Sequence, residues 1–126
     1  MTPSDPCVLI ADDDVLIANV IQRIVRLKGL TGVVVSDGTE AIATAQRLRE
    51  CLVCAVLDVM MPGSSGIEAA EKIRQFAPTL PIIIMSGVVS SELLERTKGI
   101  AHLAVITKPF TITELRSIFD TILQKQ

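Results

Sequence analysis

The chain has 126 residues, 49% of them apolar and 21% charged, with a formal net charge of −2. That is a single domain with enough apolar side chain for a core, and its charge balance gives no reason to expect nucleic acid or an anionic membrane as a direct partner. Three Phe and no Trp or Tyr leave an aliphatic core and no base-stacking platform.

Met1 to Pro6, with two Pro, a Ser and an Asp, is expected to be a flexible tail, placing one domain over 7–126. It lacks the basic-then-apolar order of a signal peptide. No apolar run reaches the length of a membrane span, so the expected location is cytoplasmic.

Cys7 to Ala11 reads as a strand running into the acidic turn Asp12-Asp13-Asp14. From Val15 to Lys28 the residues Leu16, Ile17, Val20, Ile21, Ile24 and Leu27 recur at helical spacing, and Gly29 ends that helix. Val33 to Val35 is a short β-branched strand. Asp37 followed by Glu40 resembles a capping box for a second helix, with Ala41, Ile42, Ala45 and Leu48 as its apolar stripe.

Ala55-Val56-Leu57 climbs to Asp58, and the run breaks at Met61-Pro62-Gly63. This reads as a buried strand ending in a carboxylate. Pro62 to Gly66 is loop, and Glu68 to Phe76 a third helix. Pro81-Ile82-Ile83-Ile84-Met85 is apolar at every residue, as a strand covered on both faces must be. Ser90 or Ser91 caps a short, more polar fourth helix to about Lys98. Leu103 to Ile106 is a fifth strand, followed by Thr107-Lys108-Pro109. Thr111 with Glu114 caps a last helix carrying Leu115, Ile118, Phe119 and Ile122.

Strand and helix thus alternate five times. That predicts an α/β fold, a doubly wound five-stranded parallel sheet with five helices on both faces. Cys51 and Cys54 form a Cys-x-x-Cys, yet a zinc site needs four ligands and the chain has one His, His102. A thioredoxin-like pair would open a helix, whereas this one precedes or starts a strand. Cys7, Cys51 and Cys54 are read as small buried residues, and His102 is given no role.

Asp58 alone has two readings, a loop cap or ion-pair partner, and a nucleophile or metal ligand. Its companions favour the second. Asp12 and Asp13 follow the first strand, Ser86 ends the fourth and Lys108 follows the fifth. Parallel strands bring these ends to one rim, where open sheets hold their chemistry. Three carboxylates there repel one another unless protonated or bridged by a cation. A hard divalent ion such as Mg²⁺ suits them. With Lys108 and the Ser86 hydroxyl, the set could position and neutralise a phosphoryl group on Asp58, giving an aspartyl-phosphate.

Ile10-Ala11-Asp12-Asp13-Asp14, Leu57-Asp58-Val59-Met60-Met61-Pro62-Gly63, Met85-Ser86-Gly87 and Thr107-Lys108-Pro109-Phe110 together resemble the motifs of response-regulator receiver domains. The resemblance covers essentially the whole chain and implies the flavodoxin-like version of the fold. It implies that Asp58 is the phospho-acceptor, charged by a sensor histidine kinase or a phosphotransfer protein. Asp13, Asp58 and the Met60 backbone carbonyl would bind Mg²⁺, and Asp12 would act through a metal-bound water. Lys108 would contact the phosphoryl group and Ser86 would close over it. Lys108–Pro109 would be a cis peptide bond. The fourth helix, fifth strand and fifth helix would meet a downstream protein or an attached output domain. Asp14 falls outside this set and is expected to cap the first helix.

One position departs from the family pattern. Many members carry Tyr or Phe three residues before the Lys, and Val105 stands there. The chemistry should survive, but the lever from site to output face should be weaker. A phosphatase of the haloacid-dehalogenase type would want Thr or Val at the last position of Asp12-Asp13-Asp14-Val15-Leu16, and would carry a cap domain. A flavin carrier would not meet its phosphate with three Asp. A degenerate receiver serving as a phosphorylation-independent interaction module would usually lack the Asp or the Lys. Beginning at Met1, the chain reads as a free-standing receiver or as the amino-terminal part of a longer regulator.

Overall fold

The computed structural model describes residues 5–123. Ten elements alternate along the chain: β1 (Cys7–Ala11), α1 (Val15–Leu27), β2 (Thr31–Val35), α2 (Gly38–Arg47), β3 (Leu52–Asp58), α3 (Gly66–Phe76), β4 (Ile82–Ser86), α4 (Ser91–Lys98), β5 (Leu103–Thr107) and α5 (Ile112–Leu123). The strands form one sheet in the order β2-β1-β3-β4-β5, with every pair parallel. This is the expected doubly wound architecture. Of the tail expected over residues 1–6, residues 1–4 lie outside the described residues. The Pro6 carbonyl accepts a hydrogen bond from Thr31 N at 3.2 Å.

Side chains alternate along each strand, so the sheet divides the core in two. Leu9, Leu57, Ile82 and Ile84 face α2, α3 and α4, meeting Ala45, Ile73 and Leu93. Val8, Ile10, Val56, Ile83 and Met85 face α1 and α5, meeting Ile21, Val25, Leu115 and Phe119. β4 is buried at all five positions, as its unbroken apolar run requires. Each large aliphatic residue taken from water contributes roughly 1.5–3 kcal/mol.

The first helix does not use the whole apolar stripe expected of it. Its buried residues are Ala18, Ile21, Ile24 and Val25, while Leu16, Val20 and Leu27 are exposed at 77%, 39% and 80%. Apolar residues occupy a wider arc of α1 than one sheet face can cover. The sheet takes the arc around Ile21. Leu16, Ile17 and Val20 turn toward Pro109, Phe110 and Ile112 and line an open groove with them.

Local chemistry sets the helix ends. Asp14 caps α1, accepting from Leu16 N at 3.0 Å. At its other end Gly29 has φ 78°, with Gly29 N donating to the Arg26 carbonyl and Leu30 N to the Val25 carbonyl. That pair of bonds is a Schellman motif, which glycine enters without strain. Asp37 caps α2 through Glu40 N, and Ser90 caps α4 through Leu93 N. Thr111 and Glu114 form the expected capping box before α5, at 3.0 Å in both directions. The third helix starts at Gly66, two residues before the expected Glu68, because Ser65 and Glu68 form a capping box. β2 likewise starts at Thr31, two residues before the expected Val33.

Candidate functional site

The chain runs from β1 outward to β2, then crosses back to β3 on the other side of β1. The carboxyl ends of β1 and β3 therefore flank the point where strand order reverses, the ligand crevice of open α/β sheets. Asp12 follows β1 and Asp58 ends β3. Both are almost fully buried, at 2% and 5% exposure, while Asp13 is exposed. Hydrogen bonds beyond the strand ends fix the backbone here. Asp12 N donates to the Val35 carbonyl at 3.1 Å, Val59 N to the Met85 carbonyl at 2.9 Å, and Lys108 N to the Ser86 carbonyl at 2.7 Å.

That last bond seats Lys108 beside β4 and lets its side chain span the crevice. Lys108 Nζ donates to Asp58 Oδ2 at 3.0 Å and to Asp12 Oδ2 at 3.2 Å. Asp12 Oδ1 accepts from Asp14 N at 2.8 Å, and Asp58 Oδ1 accepts from Met60 N at 3.4 Å. Burial holds the Asp12 carboxyl above the usual range, and the Asp58 charge adds to this against the Asp14 N–H and Lys108. Burial pulls the Lys108 ammonium down, but its hydrogen bond to Asp58 and the charges of Asp12 and Asp58 outweigh that, and its pKa rises.

Three carboxylates and one ammonium leave the crevice with negative charge to spare. Oxygen atoms of Asp12, Asp13 and Asp58 lie within 4.8 Å of one another. Oxygens around an octahedral ion at about 2.1 Å sit roughly 3–4 Å apart, so this hard-donor set fits Mg²⁺ with a small contraction.

Ser86 is buried at the end of β4, and its hydroxyl is engaged with the next loop. Its Oγ donates to the Val88 carbonyl and accepts from Val88 N at 3.2 Å. The Lys108–Pro109 peptide bond is cis. Val105 sits in the middle of β5, half-buried against the α4 side of the core. With Leu94, Lys98 and Leu103 it lines a groove of about 410 Å³.

Asp12, Asp13, Asp58 and Lys108 thus meet in one crevice, with Ser86 on the neighbouring strand end. Two features were not visible in the sequence. One is that Lys108 bridges Asp12 and Asp58. The other is that Cys51 approaches Cys7, not Cys54, with Sγ atoms 3.1 Å apart. Residue spacing carried no signal for either, since both depend on which strands become neighbours.

A doubly wound sheet with an acidic, lysine-bridged crevice at its switch point defines a class of signalling domain. The model of the response regulator receiver domain matches residues 8–120, and the chain belongs to that family. It is 34% identical over 110 residues to the probable transcriptional regulatory protein TcrX of Mycobacterium tuberculosis, an alignment covering 86% of this chain and 45% of that protein. The Francisella response regulator 1452 receiver domain superposes with TM-score 0.81 at 32% identity, covering 96% of this chain and 98% of that one. Vibrio cholerae chemotaxis protein CheY4 superposes with TM-score 0.84 at 26% identity, covering 94% and 99%. The chain spans about half the length, or less, of the curated relatives it matches. It is a receiver domain of the two-component kind, a signalling domain and not a classical enzyme. Among the described residues, no helix is long and apolar enough to cross a membrane.

Proposed function

We propose that Asp58 is the phospho-acceptor of a cytoplasmic receiver domain spanning residues 7–126. A phosphohistidine on a sensor histidine kinase or phosphotransfer protein is the donor. An Asp58 carboxylate oxygen forms the new P–O bond as the donor's P–N bond breaks, and the electron pair leaves on the imidazole. The observation that carries this reading is the single ammonium of Lys108 held between Asp58 and Asp12 at 3.0 and 3.2 Å. That charge stands where the transferred oxygens arrive, so it is preorganised for the transfer.

Asp13, Asp58 and the Met60 backbone carbonyl would hold Mg²⁺, with Asp12 acting through a metal-bound water. Bound there, the ion supplies positive charge to the phosphoryl oxygens. Ser86 would release Val88 and donate its hydroxyl to the phosphoryl group. The same residues would let the domain take phosphate from a small-molecule donor and later hydrolyse its own aspartyl-phosphate. The groove of Leu16, Ile17, Val20, Pro109, Phe110 and Ile112 also touches Lys108. An apolar surface continuous with the acceptor crevice suits the donor protein, which must bring its imidazole to Asp58. The face of α4, β5 and α5 would contact the downstream protein or an attached output domain. Direct nucleic acid or membrane contact forms no part of this reading.

The test is intact mass after incubation with acetyl phosphate and Mg²⁺. The wild-type chain gains one phosphoryl group, and Asp58→Ala gains none. An unmodified wild type would favour a phosphorylation-independent interaction module. An adduct that persists in Asp58→Ala would place the acceptor elsewhere.

A further inference from the structure

The pole of the sheet opposite Asp58 holds a second group of reactive side chains. Cys7 opens β1, and Cys51 ends the turn between α2 and β3. Their Sγ atoms are 3.1 Å apart, and with Leu48 they make a small buried cluster of their own. Cys7 N donates to the Cys51 carbonyl at 3.0 Å. Cys7 stands in register with Leu52, the residue after Cys51, so the two cysteine backbones lie side by side, as the ~4.4–6.8 Å between Cα atoms of a disulfide requires. An S–S bond is about 2.05 Å, so roughly 1 Å of approach remains. Cys54 is excluded from this pairing. It faces the α1 and α5 side of the sheet, packed in the other half of the core.

We propose that Cys7 and Cys51 are a disulfide-forming modification site, oxidised by a peroxide and reversed by a thiol reductant. Access starts at Cys51. Its turn is held by a few bonds around Leu48, including Cys51 N to the Leu48 carbonyl at 2.9 Å and Cys51 Sγ to the same carbonyl at 3.4 Å. Local opening of such a turn needs less free energy than opening the sheet. The Cys51 sulfur attacks one peroxide oxygen, the O–O bond breaks, and Cys51 becomes a sulfenic acid with one water released. The Cys7 sulfur then attacks the Cys51 sulfur. The S–O bond breaks, the departing hydroxide takes the Cys7 proton, and a second water leaves. Two thiols are oxidised by two electrons and one peroxide is reduced to two waters. Burial, helped by the neighbouring Cys51, pushes the Cys7 thiol up to about 12. Cys7 is sealed inside the sheet while Cys51 sits on the turn and keeps 7% of its surface exposed, so Cys51 meets the oxidant first and Cys7 is the resolving partner.

The bond would tie residues 44 apart in the chain, restricting the unfolded state and raising the unfolding temperature. It lies a full strand length from the crevice, so it acts on persistence of the fold and leaves phosphoryl uptake in place.

The test exposes the folded 126-residue chain to hydrogen peroxide, followed by thiol titration, intact mass and peptide mapping. The expected result is a monomer that has lost two of its three thiols and two hydrogen masses. A Cys7–Cys51 peptide should be present, the unfolding midpoint several degrees higher, and all of this undone by dithiothreitol. Cys54→Ser should oxidise as the wild type does, and Cys7→Ser should form no internal disulfide. Should Cys7→Ser fold poorly, the wild-type peptide map decides. Three intact thiols in the folded chain, a Cys51–Cys54 linkage, or over-oxidised Cys51 without closure would each overturn the proposal.

Discussion

Lys108 Nζ lies 3.0 Å from Asp58 Oδ2 across 50 residues of chain. The ammonium is the only cation hydrogen-bonded to either buried carboxylate among the described residues. Its raised pKa fixes the sign of its effect. The stabilisation is fully present below the unfolded lysine value and is lost as pH rises through the folded one. Lys108→Ala should lower stability near neutral pH by about 3 kcal/mol, the low end for breaking a buried pair. Adding Asp12→Asn should recover part of that loss, since it removes one of the two stranded charges. Urea unfolding of both variants checks this, and an unchanged midpoint in the single variant would contradict it.

Asp12 carries the opposite sign. Its carboxyl is held above the usual range, so the ionised form is penalised by folding. Asp12→Asn alone should be more stable than wild type at pH 7 without metal. The advantage should shrink as pH falls through the raised folded value, where the wild type takes up its proton. Thermal melts at pH 7 and pH 4.5 show whether the gap closes.

Mg²⁺ should stabilise the wild type as any ligand of the folded state does. At ten times its dissociation constant the gain is about 1.4 kcal/mol. Asp13→Asn should abolish most of that gain while leaving the metal-free melt nearly unchanged, because Asp13 is exposed. An equal magnesium effect in the variant would remove Asp13 from the ligand set.

Gly66 marks where α3 meets the tip of β3. A Cβ there would lie 2.2 Å from the Asp58 carbonyl oxygen, a contact that forces backbone to move. Gly66→Ala should cost about 3 kcal/mol or more and should slow phosphoryl uptake by displacing Asp58. Denaturant midpoint and the rate of adduct formation should fall together.

Val105 borders an open groove, so a ring can be added there with little strain. Val105→Tyr should change stability by less than about 1 kcal/mol. The wild type, with its short side chain, should show smaller NMR shift changes on the face of α4, β5 and α5 than around Asp58 when a phosphoryl mimic binds. The Tyr variant should enlarge them. Wild-type shifts of equal size in both regions would show that the valine transmits fully.

Above pH 9 the buried thiols should govern stability. Burial pushes Cys54 up to about 12, whereas an unfolded thiol ionises near 8.5. The unfolded chain therefore loses a proton that the folded one keeps, and stability falls as pH rises. Each such thiol contributes ~1.4 kcal/mol per pH unit. Cys54→Ala should flatten the slope between pH 9 and 10 by that amount, whatever offset its small cavity adds.

The sequence-legible part of this molecule is what local pattern determines. Ile82 to Met85 can only be a covered strand, and Thr111 with Glu114 can only sensibly open a helix. Asp12, Asp58, Ser86 and Lys108 could be placed at one rim because parallel strands share their direction. Helix starts that depend on loop conformation were less visible. Ser65 and Glu68 carry the same spacing as Thr111 and Glu114, but Pro62, Gly63 and Gly66 around them read as loop, and that masked the cap. The exposure of Leu16, Val20 and Leu27 was hidden for a related reason. Periodicity gives the width of an apolar arc but not which part the sheet covers. The Cys7 and Cys51 contact belongs to the same class of information, set by strand neighbours and not by spacing.

The position of the bridging lysine also governs the order in which the crevice can be completed. Both buried acids belong to the first half of the polypeptide, and their shared counter-charge comes only after the last strand. During amino-to-carboxyl synthesis, every intermediate that ends short of residue 108 holds the two acids without it. Partial assembly of the acidic pocket is thereby disfavoured until the final β-strand is ready to dock.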